Sequence, residues 1–116
     1  MRIFAIASLI IASLFILPAA ATAQQDCQQV QFPHGAYTHS VQGYANPQRS
    51  TCYYLDVRPG QEAQVRILEG PVFLTTSDTS GQFTNVQFYT QSGRLFVYVH
   101  TDYAGYQQFL IQFTFV

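Results

Sequence analysis

Through most of the chain the apolar positions fall in short alternating runs, and nowhere beyond the N-terminus do they keep helical spacing for longer than a turn. Tyr53, Leu55 and Val57 alternate with Tyr54 and Asp56, and Ala63, Val65 and Ile67 alternate with Glu62, Gln64 and Arg66. A period of two sends successive side chains to opposite faces of an extended chain, so each run reads as a half-buried strand. Seven or eight strands are predicted, over 29–32, 36–44, 50–57, 62–67, 72–76, 82–90, 94–101 and 106–115. Turn chemistry separates them: Pro33-His34-Gly35, Asn46-Pro47, Arg58-Pro59-Gly60-Gln61, Gly70-Pro71, the polar stretch 77–81, Gln91-Ser92-Gly93 and 102–105. Proline presets φ and glycine permits positive φ, which is what tight turns require. Short strands at this spacing predict an all-β fold, a small antiparallel β-sandwich or barrel. Leu95, Val97, Val99, Phe109, Ile111 and Phe113 are expected to supply most of its core.

One strand breaks the alternation. In 94–101, Phe96 and Tyr98 alternate with Leu95, Val97 and Val99, so both faces are apolar. Either the strand is central and covered on both sides, or its second face is an exposed aromatic stripe that meets a ligand or partner.

The N-terminus follows a different pattern. Arg2 precedes an apolar run from Ile3 to Leu17 interrupted only by Ser8 and Ser13, Pro18 ends it, and Ala21-Thr22-Ala23 is a small-x-small cleavage site. About fifteen apolar residues fall short of the roughly twenty a helix needs to span a bilayer. Residues 1–23 therefore read as a cleaved export signal. That leaves 24–116 as a single domain, periplasmic or extracellular, without a membrane span.

Export changes the meaning of the cysteines. Cys27 and Cys52 are the only two, and an oxidising compartment favours a disulfide between them. A loop of this length is worth about 3–3.5 kcal/mol in the chain-entropy account. Charge removes another class. Lysine is absent, and the exported part sets Arg49, Arg58, Arg66 and Arg94 against Asp26, Asp56, Glu62, Glu69, Asp78 and Asp102. Nucleic-acid binding needs concentrated positive charge, and these residues are scattered.

Catalytic chemistry has no constellation to rest on. His34, His39 and His100 sit in no nucleophile or metal motif, the carboxylates fall mostly singly, and no helix follows Ser92-Gly93 or Thr79-Ser80-Gly81 to make a phosphate cradle. The chain thus reads as a non-catalytic binding domain with no cofactor and no metal. Loops at one end of a sandwich are the usual place for recognition. Asp102, Tyr103 and Tyr106 are the strongest candidates, since tyrosines give rigid contact area with polar tips. Tyr103 is expected to be exposed, while Tyr106 either joins it or packs back on the sheet.

Turn glycines and core positions carry a family likeness. Gly43-Tyr44, Tyr53-x-Leu55, Gly60-Gln61 before Val65-x-Ile67, Ser92-Gly93 before Val97-x-Val99, and Phe109-x-Ile111 resemble the secreted pre-peptidase C-terminal-like β-sandwich. Val30-Gln31-Phe32 followed by Gly35 is similar to the opening of its small stand-alone version, the periplasmic inhibitors of goose-type lysozyme. That resemblance implies a protein partner, a lysozyme whose cleft is plugged, with Ser92, Gly93 and Arg94 joining Asp102, Tyr103 and Tyr106 in the contact. The chain departs from the Ser-Gly-x-x-Tyr segment of several lysozyme inhibitors by lacking its tyrosine, and its 102–105 loop is short and acidic. The alternative is an envelope or extracellular module that binds glycan or is structural, suggested by the neutral Tyr/Gln-rich surface.

Overall fold

The computed structural model describes residues 26–116, all-β with no helix among them. The export signal expected for 1–23 and its cleavage site lie outside the described residues. Eight strands form: β1 (Cys27–Gln29), β2 (Thr38–Ala45), β3 (Thr51–Asp56), β4 (Glu62–Glu69), β5 (Phe73–Thr76), β6 (Asn85–Tyr89), β7 (Arg94–His100) and β8 (Gln107–Phe115). They make two four-stranded sheets, in the orders β1-β3-β7-β5 and β2-β8-β4-β6. Every odd-numbered strand is in the first sheet and every even-numbered strand in the second, so the chain crosses the sandwich at each connection. No strand pairs with its neighbour in sequence, and the turns read from Pro and Gly are crossings between sheets rather than hairpins.

All ladders are antiparallel except β1 with β3, which run parallel with Cys27 opposite Cys52. The disulfide spans that pair, at an S–S distance of 2.06 Å. It also explains why the first strand starts earlier than its hydrophobic pattern suggests: the bridge holds 27–29 against β3, and the Val30 amide extends the pairing to the Tyr54 carbonyl at 2.9 Å.

Between the sheets lie Tyr53, Leu55, Leu74, Leu95, Val97 and Val99 from one side, and Ala63, Val65, Phe109, Ile111 and Phe113 from the other. The six residues expected to dominate the core are all buried. Tyr53 packs edge-on to Phe109 and Phe113, with centroids 6.3 and 6.1 Å away. Burial pushes its hydroxyl up to about 12, because the phenolate is poorly solvated there. Room for that ring comes from Gly43, where a Cβ would lie 2.5 Å from the Tyr53 hydroxyl and 2.7 Å from Phe109. Gly70 serves packing and conformation together: its φ is +108°, and a Cβ would meet the Gln108 carbonyl at 2.5 Å.

The flank beside β5 and β6 is closed by the connecting chain. Phe83 exchanges two backbone hydrogen bonds with Leu74 of β5, at 2.7 and 2.9 Å, and the next carbonyl, Thr84, accepts from Ile67 of β4 at 2.8 Å.

Candidate protein-binding site

Strand directions sort the connections into two ends. One end collects 46–50, 70–72 and 101–106; the other collects 30–37, 57–61, 90–93 and the start of 77–84, whose later residues run back along the β5–β6 flank. The residues expected to act together do not meet. Ser92, Gly93 and Arg94 lie at the start of β7 and Asp102, Tyr103 and Tyr106 beyond its end, so the length of the strand, roughly 20 Å, separates them. The expectation of one loop cluster containing both is corrected. A seven-residue strand runs between them, and its two termini cannot share a surface.

At the Ser92 end the polar groups are engaged within the protein. Ser92 Oγ donates to the Arg94 carbonyl at 2.9 Å, and the Gly93 carbonyl accepts from the Val57 amide at 2.9 Å. Arg94 Nε donates to Asp56 Oδ1 at 2.9 Å, and its guanidinium lies 4.6 Å from the centre of the Tyr54 ring. This is the ion pair found among the described residues. Buried Thr90 stitches the neighbouring loops: its hydroxyl donates to the Arg58 carbonyl and accepts from the Gln61 amide, while its backbone bonds Gln61 and Gly60.

The other end turns rings outward. Tyr103 is 63% exposed, Tyr106 77% and Tyr44 58%. Tyr106, left open between packing and exposure, is the most exposed large hydrophobic residue among those described. Strand parity explains it: Phe109, Ile111 and Phe113 face the core, so even-numbered positions face away, and 106 continues the outward row. None of the three tyrosine hydroxyls has a hydrogen-bond partner among the described residues. Thr101, buried, steadies the loop by donating to the Pro71 carbonyl at 2.9 Å and accepting from the Tyr103 amide at 3.1 Å, and Gln107 Nε2 donates to the Ala104 carbonyl at 2.7 Å. The rings are therefore mounted on a backbone tied to the fold.

Beside them a cleft of about 350 Å³ is lined by Asp26, Tyr44, Arg49, Tyr106 and the Cys27–Cys52 bridge. It offers aromatic walls with one group of each charge. Arg49 makes no ion pair among the described residues. Tyr44, Arg49 and Asp26 were not among the candidates read from the sequence. Tyr44 was within reach of it, since the alternation Val41, Gly43, Ala45 inward places residue 44 outward, but only the fold shows that it shares a cleft with residue 106.

A second feature lies on the outer face of the first sheet. Register sets Tyr54 beside Phe96, Cys52 beside Tyr98, and His100 beside Phe73. Tyr54 and Phe96 are 6.2 Å apart, Tyr98 and His100 6.4 Å, and Phe73 stacks on His100 at 5.2 Å. His100 Nε2 also bonds Thr75 Oγ1 at 3.0 Å. Burial lowers the His100 pKa below its ordinary value, and Asp102 offsets part of that. Phe96 and Tyr98 are thus half-buried in their own row of rings, on a sheet face over which no strand of the described residues packs. The second sheet's outer face is instead polar, held by bonds such as Arg66 to Gln112 and Gln64 to Asn85. No group of three or more His, Cys, Asp or Glu among the described residues is placed to hold a metal ion, and no helix among them is long and apolar enough to cross a membrane.

No protein-family model matches this chain, and no curated protein is similar to it in sequence. In structure it is similar to PliG of Salmonella Typhimurium, a periplasmic lysozyme inhibitor of g-type lysozyme. The TM-score is 0.63 over 80% of this chain and 100% of that one, at 14% identity. The fold resembles that of a periplasmic lysozyme inhibitor. At this identity the likeness shows fold alone, and the pre-peptidase C-terminal part of the expected resemblance has no matching family.

Proposed function

We propose that this chain is an exported, non-catalytic inhibitor-like domain that binds a lysozyme through the end bearing Tyr44, Tyr103 and Tyr106. The observation that carries the reading is the set of exposed tyrosines at one end, with Tyr44 and Tyr106 lining a cleft, on a fold like that of a periplasmic inhibitor. Tyrosines on a braced backbone bury large area at small entropic cost, which is the usual make-up of a binding hot spot. Arg49 and Asp26 fix orientation at the rim. Export to the periplasm or cell surface places the protein where a lysozyme would reach it, and the disulfide fits that compartment. The direct test is lysis of cell-wall suspensions by goose-, chicken- and invertebrate-type lysozymes with excess folded protein. Inhibition of at least one type, lost in a Tyr103→Ala/Tyr106→Ala variant, is expected; undiminished lysis by all three rules the reading out.

The outer aromatic row supports a second reading, a glycan-binding envelope module, because ring faces stack on sugars. Retention of the protein by peptidoglycan or polysaccharide, weakened in Phe96→Ala, is the expected result there. A protein that passes through every glycan column unretained excludes it.

A further inference from the structure

Among the described residues the sandwich is sealed along the β5–β6 flank and open along the other, where β2 is the edge of its sheet. β2 is eight residues long, pairs with β8 without a bulge, and contains no charged residue and no proline. Natural edge strands are normally guarded against pairing by shortness, charge, proline or a bulge. The other edges have such guards. β1 has three residues, β5 has four and is partly paired by Phe83, and five-residue β6 has the Glu62 carboxylate bound to its Gln87 at 3.2 Å.

Hydrogen-bond parity identifies the open groups. The Phe115 amide donates to the Tyr37 carbonyl of the β2 side, and the Val116 amide to the Glu62 carbonyl of the β4 side. Odd-numbered residues of β8 therefore bond the β2 side, and their register partners His39, Val41 and Gly43 point their backbone groups at β8. Thr38, Ser40, Gln42 and Tyr44 are left with N–H and C=O directed outward. Thr51 Oγ1 donates to the Tyr44 carbonyl, so the stretch left unclaimed among the described residues runs from Thr38 to Gln42 and has Ser40 at its middle.

We propose that this edge is the interface of a homodimer, in which β2 pairs antiparallel with β2 of a second copy about a two-fold axis through Ser40. Ser40 then faces Ser40 of the second copy and Thr38 faces Gln42. Each such pair exchanges two backbone bonds, giving six, and the two sheets join into one of eight strands. A two-fold pairing closes on itself, and the uncharged Thr, Ser and Gln side chains bring no like charges together. In this register Tyr44 lies opposite Ala36 of the second copy, whereas Tyr103 and Tyr106 sit on the 101–106 connection, outside the paired strands.

Sedimentation of the oxidised, exported protein over a concentration series tests this, with amide exchange read in parallel. A concentration-dependent dimer is expected, in which the Thr38, Ser40 and Gln42 amides exchange slowly when dimeric and fast when dilute. Ser40→Lys puts two like charges across the axis, and Gln42→Pro removes a free N–H without touching the ladder to β8. Each is expected to weaken dimerisation by about tenfold or more with the circular dichroism unchanged, while Gln87→Lys on the β6 edge leaves it intact. A protein that is monomeric at every concentration overturns the proposal. So does a dimer that survives both β2 variants, or one that Gln87→Lys dissolves.

Discussion

The two ends of the sandwich are built alike, from short polar loops between strands, and differ in where their polar groups are directed. Around Ser92 and Thr90 they are turned inward: Thr90 bonds 58–61, Asp78 Oδ2 accepts from the Gln91 amide at 2.8 Å, and Arg94 is held by Asp56 and Tyr54. Around Tyr103 and Tyr106 one buried threonine braces the backbone and the aromatic rings are left in water. A loop whose donors and acceptors are satisfied internally contributes to stability and has little left for a partner. A braced loop with free rings gives up little entropy when a partner covers it. The proposed recognition thus falls to one end and structural closure to the other.

Substitutions can break that division. The largest effect should come from Cys27→Ala/Cys52→Ala, because the bridge anchors β1 and lines the cleft of the tyrosine end. A loss of about 3 kcal/mol in urea unfolding, with weaker lysozyme binding, is expected. Tyr53, in the core that both ends share, should make them fail together in alkali. Its ordinary value is 10.0 and burial raises it to about 12, so the folded state holds the proton more tightly than the unfolded chain. Stability is intact below pH 10 and falls between pH 10 and 12 by up to about 3 kcal/mol, readable as a falling Tm. Thr90→Val should cost about 2 kcal/mol of folding stability and leave lysozyme affinity unchanged. Tyr103→Ala/Tyr106→Ala should do the reverse: about 2 kcal/mol of binding, measured by calorimetry, with stability altered by less than about 0.5 kcal/mol. Equal effects of these two variants on both readouts would erase the distinction between the ends. The smallest effect belongs to Arg94→Gln, whose exposed ion pair is worth less than about 1 kcal/mol; a large loss of inhibition there would move recognition to the Ser92 end.

Much of this molecule was legible in local pattern. Seven of the eight strands formed where alternation and turn residues put them, with ends shifted by up to three residues, because period-two burial is a property of consecutive side chains; the first formed over 27–29 instead of 29–32, sharing only Gln29. Cys27 and Cys52 paired as expected from compartment chemistry. The candidate site was half legible. Tyr103 faces water as expected, but Ser92–Arg94 belongs to the opposite end, and Tyr44, Arg49 and Asp26 entered only through the fold. Phe96 and Tyr98 fit neither expectation fully: their strand is central in its sheet, yet among the described residues no second layer packs over its outer side, and both rings are half-buried.

The sequence by itself determined the strands, their inward faces and the bridge, because each depends on the chemistry and spacing of residues along the chain. Tertiary structure decided which loops share an end, that a tyrosine of β2 and one before β8 flank a single cleft, and that β2 is left at an open edge. Those outcomes depend on the order in which strands pair. With every connection crossing between sheets, residues adjacent in sequence are carried apart, and the partners of each surface come from distant parts of the chain.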